Sequence, residues 1–197
     1  MASDTKERIL ESALEIFARD GYAGTNIKDI AESVGIVKSA LYRHFSSKED
    51  MWNEVLEMMI AYYDNNFGSA KKLPPVPQTP QDLIDTTMKM INFTVNDRKV
   101  VLMRKILVTE QFRDKKFVKL ASRYFLYDTR EIFTNLFDAM IKKGILRNCD
   151  PELLAFSYTA PITSLVHLCD REPEKKNDSL DYIRRFIELF ISSYWNT

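Results

Sequence analysis

Glycine is scarce in this chain, with five in 197 residues. Proline is concentrated: four of the seven fall at 74, 75, 77 and 80, so the rest of the chain has few helix breakers. β-branched runs with period-two alternation are hard to find, which argues against strands. The two cysteines, Cys149 and Cys169, stand in no paired metal spacing, and no metal or cofactor is expected. They read as reduced, structural cysteines of a cytoplasmic protein, where a disulfide is not expected. Only two histidines occur, His44 and His167. Cys169 follows His167 by two residues, which on a helix puts them on different faces. There is no glycine-rich phosphate loop, no metal-ligand cluster and no nucleophile elbow, so an enzyme is not expected. No apolar run approaches the roughly 18 residues of a membrane span, and the N-terminus lacks the charged head and apolar core of a signal peptide. Net charge is also absent, 28 Lys and Arg against 28 Asp and Glu, so the sum gives no hint of nucleic acid.

What is present is helical periodicity. The apolar fraction is 45%, enough for a sizeable core. A first helix is predicted over about Thr5–Asp20, with Ile9, Ala13, Ile16 and Phe17 on one face and Gly21 just past its end. A second covers Ile27–Val34, with Ile27, Ile30, Ala31 and Val34 inward. Asn26 caps it, Asp29 stands in capping-box position and Gly35 ends it. A third, short helix runs from about Lys38 to Phe45, with Leu41 and Phe45 inward. A fourth starts in Ser46-Ser47-Lys48-Glu49 and reaches about Phe67. The proline-rich stretch Ser69–Pro80 then reads as an extended linker. Beyond it, helices are expected over Gln81–Asn96, Lys99–Gln111 and Lys115–Lys143, the last ending at Gly144. Another begins at Asp150-Pro151 and runs to about Cys169, a polar loop covers Asp170–Ser179, and a last helix covers Leu180–Tyr194.

The second and third helices carry the sharpest signal. Ala31 is small where two helices must approach, Gly35 allows a tight turn, and Leu41 packs the next helix back. Ile30 and Ile36 fill the space between. This small–Gly–apolar spacing describes a helix-turn-helix, whose second helix enters the DNA major groove. Charge distribution agrees: from Gly35 to Lys48 there is no acid, while Lys38, Arg43, His44 and Lys48 are present. Lys38 suits guanine acceptors, Ser39 suits base or phosphate, and the Ala40 methyl suits a thymine methyl. Tyr42 and His44 suit phosphates. Lys48, at a helix start, adds its charge to the helix dipole.

The stretch from Gly21 to Asp50 closely resembles the TetR family of bacterial transcriptional regulators, most specifically at Leu41-Tyr42 through Phe45 and at Lys48-Glu49. The match extends over about residues 5–60. The resemblance implies a homodimer carrying two helix-turn-helix heads on a divergent C-terminal effector domain. It also implies that Thr25, Lys38, Tyr42, His44 and Lys48 stand at DNA-contact positions. One departure is Val37, where the family usually has Ser or Thr. Val cannot cap, so the third helix should start about 1 kcal/mol weaker.

The expected architecture is all-α. Residues 1–50 form a three-helix DNA-binding head, and a connecting helix over about 48–67 leads into a ligand-binding and dimerisation domain at 51–197. Bulky adaptable side chains in the middle helices suggest an effector cavity: Met58, Tyr62, Met88, Met103, Phe125, Phe133 and Phe137, with Thr159 and Thr163 as polar anchors. Such a wall favours a small apolar or aromatic molecule. The stripe Ile183, Ile187, Phe190 and Tyr194, with Phe186 beside it, reads as a dimer interface. The partners expected are therefore operator DNA, a second copy of the chain and a small apolar effector, with no membrane.

Overall fold

The computed structural model describes residues 2–67 and 74–196; residues 69–73 of the expected linker lie outside them. Ten α-helices account for most of the described residues, and the one β-type pairing among them is an isolated antiparallel bridge between Leu146 and Trp195. They are α1 (Ala2–Gly24), α2 (Ile27–Val34), α3 (Lys38–Leu41), α4 (Lys48–Phe67), α5 (Pro80–Asn96), α6 (Arg98–Glu110), α7 (Lys115–Ser122), α8 (Asp128–Lys142), α9 (Pro151–Arg171) and α10 (Lys176–Tyr194). They fall into two compact units. One comprises residues Met1–Phe67 and Arg98–Lys119, the other Gly68–Asp97 and Leu120–Thr197. The boundary expected at 50/51 does not coincide with either limit. A segment distant in sequence, α6 and the start of α7, completes the N-terminal unit, and no local pattern announces that.

Inside the first unit, helix ends are set by residues that resolve orphaned backbone groups. Gly21 breaks α1 internally at φ 70°, ψ 171°, a conformation open to glycine. The Asn26 side chain accepts the Lys28 N–H, rather than engaging Asp29 as a capping box would. Gly35, at φ 76°, closes α2 by giving its N–H back to the last turn. Ser47 Oγ accepts the Asp50 N–H at 3.0 Å, and the Asp50 carboxylate accepts from the Ser46 N–H at 2.8 Å. Those bonds to Ser46 hold the Asp50 carboxyl below its ordinary pKa. The core of the unit is mostly apolar: Ile9, Ala13, Ile30, Leu41 and Val55 are all fully buried, and Thr25, Arg104 and Glu110 are buried polar exceptions. Each larger aliphatic side chain so buried contributes about 1.5–3 kcal/mol.

The first unit also gathers α6 alongside α1. Arg98 pairs with Glu15 at 2.8 Å and Lys99 with Glu11 at 2.9 Å near the start of α6. At its other end the buried Glu110 carboxylate accepts the Tyr22 N–H at 3.1 Å, beside the Gly21 break.

In the second unit, α8, α9 and α10 pack around an aromatic cluster. Phe137 lies 5.3 Å from both Tyr158 and Phe190, and Phe133 lies 5.1 Å from Tyr158, ring centre to ring centre. The Tyr158 hydroxyl bonds Thr87 Oγ1 of α5 at 2.9 Å. Burial pushes that phenol well above its ordinary pKa, partly offset by the Thr87 bond. Asp150 caps α9 through the Glu152 and Leu153 amides, with Pro151 first in the helix as expected.

Three expected elements differ. The single helix over 115–143 is divided by a π-helical turn at Arg123–Tyr127, where Arg123 Nε reaches Asp128 at 2.8 Å. The polar loop at 170–179 is mostly helical: α9 runs to Arg171, Pro173 opens a 3-10 turn, and Asn177, Asp178 and Ser179 form the first turn of α10. Those residues favour helix starts as much as loops, so composition alone misplaced them. The third helix is shorter than its pattern, ending at Leu41 before a turn that carries Phe45 back into the core.

Candidate nucleic-acid interface

The second and third helices meet as the spacing demands. Gly35 turns the chain left-handed, the Ile36 N–H bonds Ala31 O at 2.9 Å, and Leu41 is fully buried against α2. With Leu41 and Phe45 inward, Lys38, Ser39, Tyr42 and Arg43 are left exposed on the opposite side, and Ala40 is half-buried. Lys38 Nζ lies 5.8 Å from the Tyr42 ring centre, so the ammonium and the phenol share one surface. His44 is half-buried, its ring 6.5 Å from that of Phe45. Val37 stands at the cap position with no side-chain cap bond and is 68% exposed, as its chemistry predicts.

Lys48 opens α4 and is held by an aromatic column. Its Nζ sits 4.6 Å from the Tyr22 ring centre. Tyr22 lies 5.3 Å from Trp52, and Trp52 lies 5.0 Å from Phe117 of α7. Partial burial lowers the Lys48 pKa from its ordinary value. An incoming phosphate would reverse that direction, because an opposite charge favours the ammonium. Burial, and secondarily the Glu49 charge, raises the Tyr22 phenol, which keeps it a neutral platform. The chemistry presented is thus cationic and hydrogen-bonding at a helix-turn-helix surface, with one cation placed in advance at a helix N-terminus.

Thr25 does not fit its expected place. It is 5% exposed, and its hydroxyl donates to Gly21 O at 2.7 Å. It braces the corner between α1 and α2 instead of presenting a free donor. Arg43 was passed over as a contact residue, yet it is exposed beside Tyr42. The absence of acids from Gly35 to Lys48 was the signal that could have found it.

The other expected sites fare differently. Of the interface stripe, Ile183 and Ile187 are fully buried and Phe190 is 4% exposed within the chain itself. They belong to the core of the second unit, so they do not present a surface. Phe186 and Tyr194 are half-buried. The exposed apolar side chains of α9 and α10 are Leu153, Phe156, Tyr182 and Leu189, with Leu153 at 67% and Leu189 at 64%. Of the cavity residues, Met58, Tyr62 and Met103 belong to the first unit and the rest to the second. Met88, Phe133 and Phe137 are core, and the Thr159 hydroxyl is spent on Ala155 O at 2.8 Å. Phe125 and Thr163 are half-buried, with Phe125 edge-on to His167 at 4.7 Å. Thr134 Oγ1 of α8, missed by the sequence reading, is buried without a hydrogen-bond partner.

Among the described residues no helix is long and apolar enough to cross a membrane, and no metal-binding group of His, Cys, Asp and Glu occurs. Residues 9–55 match the profile of bacterial regulatory proteins, tetR family. A 60-residue stretch is 38% identical to IcaR, the negative transcriptional regulator of the biofilm operon icaADBC of Staphylococcus aureus, and spans 30% of this chain and 32% of that one. The match thus covers about a third of that relative's length. KstR2 of Rhodococcus jostii, a helix-turn-helix transcriptional repressor, is 26% identical over 160 residues, 79% of this chain and 74% of KstR2. Among solved structures, the complex with triclosan of SmeT, the repressor of a Stenotrophomonas maltophilia multidrug efflux pump, is 19% identical. It superposes with a TM-score of 0.68, covering 98% of this chain and 92% of that one.

Proposed function

We propose, for a chain that belongs to the tetR family of bacterial regulatory proteins, that it represses transcription as a homodimer on a pseudo-palindromic operator and is released by a small apolar effector. The observation that carries this reading is the exposed set Lys38, Ser39, Tyr42 and Arg43 beyond the Gly35 turn, with Lys48 beside it. Membership of the family makes the chain a DNA-binding transcriptional regulator and not an enzyme. The sign of regulation follows its relatives, since IcaR is a negative regulator and KstR2 a repressor.

Dimerisation is supported by Leu153, Phe156, Tyr182 and Leu189, large apolar side chains that α9 and α10 leave exposed. Two-fold pairing would give two identical heads and hence a two-fold operator. For the effector, the half-buried Phe125 and Thr163 and the buried Thr134 hydroxyl, which has no hydrogen-bond partner, are the candidate contacts in the second unit. Fold relatives are known in complex with small molecules, SmeT with triclosan and a regulator from Saccharomonospora viridis with choline. Binding acts on DNA only by the effector's differential affinity for two head arrangements.

The test has two arms. Selection from a random duplex library should return one pseudo-palindromic sequence, and size measurement should give a dimer bound to it. A thermal-shift screen of apolar and polar compounds, followed by DNA titration with each hit, tests the effector. Strongly polar hits alone, or apolar hits that leave DNA affinity unchanged, would remove the effector from the account.

A further inference from the structure

Among the described residues, the turn between α6 and α7 and the start of α7 form a strongly basic exposed stretch outside the helix-turn-helix. Residues 111–119 hold Arg113, Lys115, Lys116 and Lys119 against the single acid Asp114. All four cations are exposed. The Asp114 carboxylate is engaged locally, accepting the Lys116 N–H at 2.8 Å.

This turn is fixed to the DNA-binding head. Helix α6 runs alongside α1, from the Arg98–Glu15 and Lys99–Glu11 pairs to the bond between Tyr22 N–H and buried Glu110. It therefore delivers the turn at the Gly21–Tyr22 corner, the corner that leads into α2. Arg113 lies there too, 3.5 Å from where a Cβ on Gly21 would stand. On the α7 side, Phe117 closes the aromatic column that begins at Lys48, and Lys116 Nζ reaches Asn53 of α4 at 3.4 Å. Asn53 is only five residues past Lys48, roughly 7.5 Å along the helix.

From this placement we infer that the α6–α7 turn with the start of α7 is a second DNA-contacting element, whose Arg113, Lys115, Lys116 and Lys119 meet the phosphate backbone flanking the operator core. The inference rests on the regulator reading above. Two features favour duplex backbone as the occupant. Arg113 stands at Gly21, next to the Tyr22 whose ring carries Lys48, and duplex DNA carries a phosphate charge about every 1.7 Å of its axis. Contacts of this kind add affinity and salt dependence but read no base.

The experiment uses the full chain, a duplex selected by it from a random library, and two lengths of that duplex: the core alone and the core with a further ten base pairs on each side. Lys115→Gln with Lys116→Gln is compared with wild type across a salt series. These side chains are exposed, so the pair leaves the fold intact. Expected is a weaker salt slope on the long duplex, by about 0.9 for each phosphate contact removed, with unchanged base preference and no effect on the core duplex. An unchanged slope on the long duplex overturns the inference while leaving the regulator reading in place. Failure of the wild type to select any duplex overturns the regulator reading and this one with it. Vesicles rich in phosphatidylserine form a third arm, because Phe112 in the same turn is 89% exposed. Vesicle binding lost in the double variant, with DNA binding untouched, would assign the turn to a membrane surface instead.

Discussion

Replacing Gly21 with alanine concentrates two costs at one atom. The backbone there holds φ 70°, ψ 171°, which L residues adopt at a cost of about 1–3 kcal/mol. The added Cβ would stand 3.0 Å from Glu110 Oε1 and 3.5 Å from Arg113 Nη1. The same carboxylate oxygen accepts the Tyr22 N–H at 3.1 Å, and displacing it weakens a bond to a charged acceptor, about 1.5–3 kcal/mol. Together Gly21→Ala should destabilise the first unit by about 2.5–6 kcal/mol, which for a chain of this size lowers its melting temperature by roughly 5–24 °C. Gly24→Ala is the internal control. Gly24 lies at the end of α1, and its Cβ would meet only Asp20 Cβ at 3.6 Å. That change should be neutral or stabilising by up to about 1 kcal/mol. Urea unfolding read by Trp52 fluorescence in a Trp195→Phe background isolates this corner, since the Trp52 ring lies 5.3 Å from that of Tyr22. Equal midpoints for Gly21→Ala and Gly24→Ala would refute the claim that glycine is required at the break.

Three further outcomes are expected. Lys48→Ala should weaken binding to all duplexes and lower the salt slope by about 0.9 per phosphate contact, whereas Lys38→Ala should relax base preference, both read by titration across salt and sequence. Leu189→Glu, at a site 64% exposed, should give a folded monomer in sedimentation, whereas Ile187→Glu places a charge in a fully buried site and should unfold the second unit. The Asp50 carboxyl has a depressed folded pKa, so its contribution is complete above the unfolded pKa and is lost as pH falls through the folded one. Asp50→Asn should therefore flatten the acid limb of the stability curve below about pH 4 and leave its shape at neutral pH unchanged.

The head was readable because its constraints are local. Gly35, Leu41 and Phe45 each answer to neighbours within a few turns, and the pattern of apolar spacing places them without tertiary knowledge. Val37 shows the same in reverse: a missing hydroxyl predicted a missing cap. Thr25 was misjudged because its partner, Gly21 O, depends on a break in α1 that glycine permits but does not announce. The interface stripe failed for a different reason. Periodicity identifies an apolar face but not what covers it, and Ile183, Ile187 and Phe190 are covered by their own unit. The face left bare is carried by Leu189 and Tyr182, which a stripe count ranks lower. The union of α6 with α1 was invisible, since Glu110 and Tyr22 lie 88 residues apart and nothing in either segment names the other.

The central claim is that α3 and the start of α4 form the DNA-reading surface. Amide hydrogen exchange on the full chain, with and without the selected duplex, addresses it directly. The account predicts new protection concentrated over residues 37–48, with the amides around Lys38 and Lys48 most affected. Tight, sequence-selective binding that leaves 37–48 unprotected and shields another segment would contradict it.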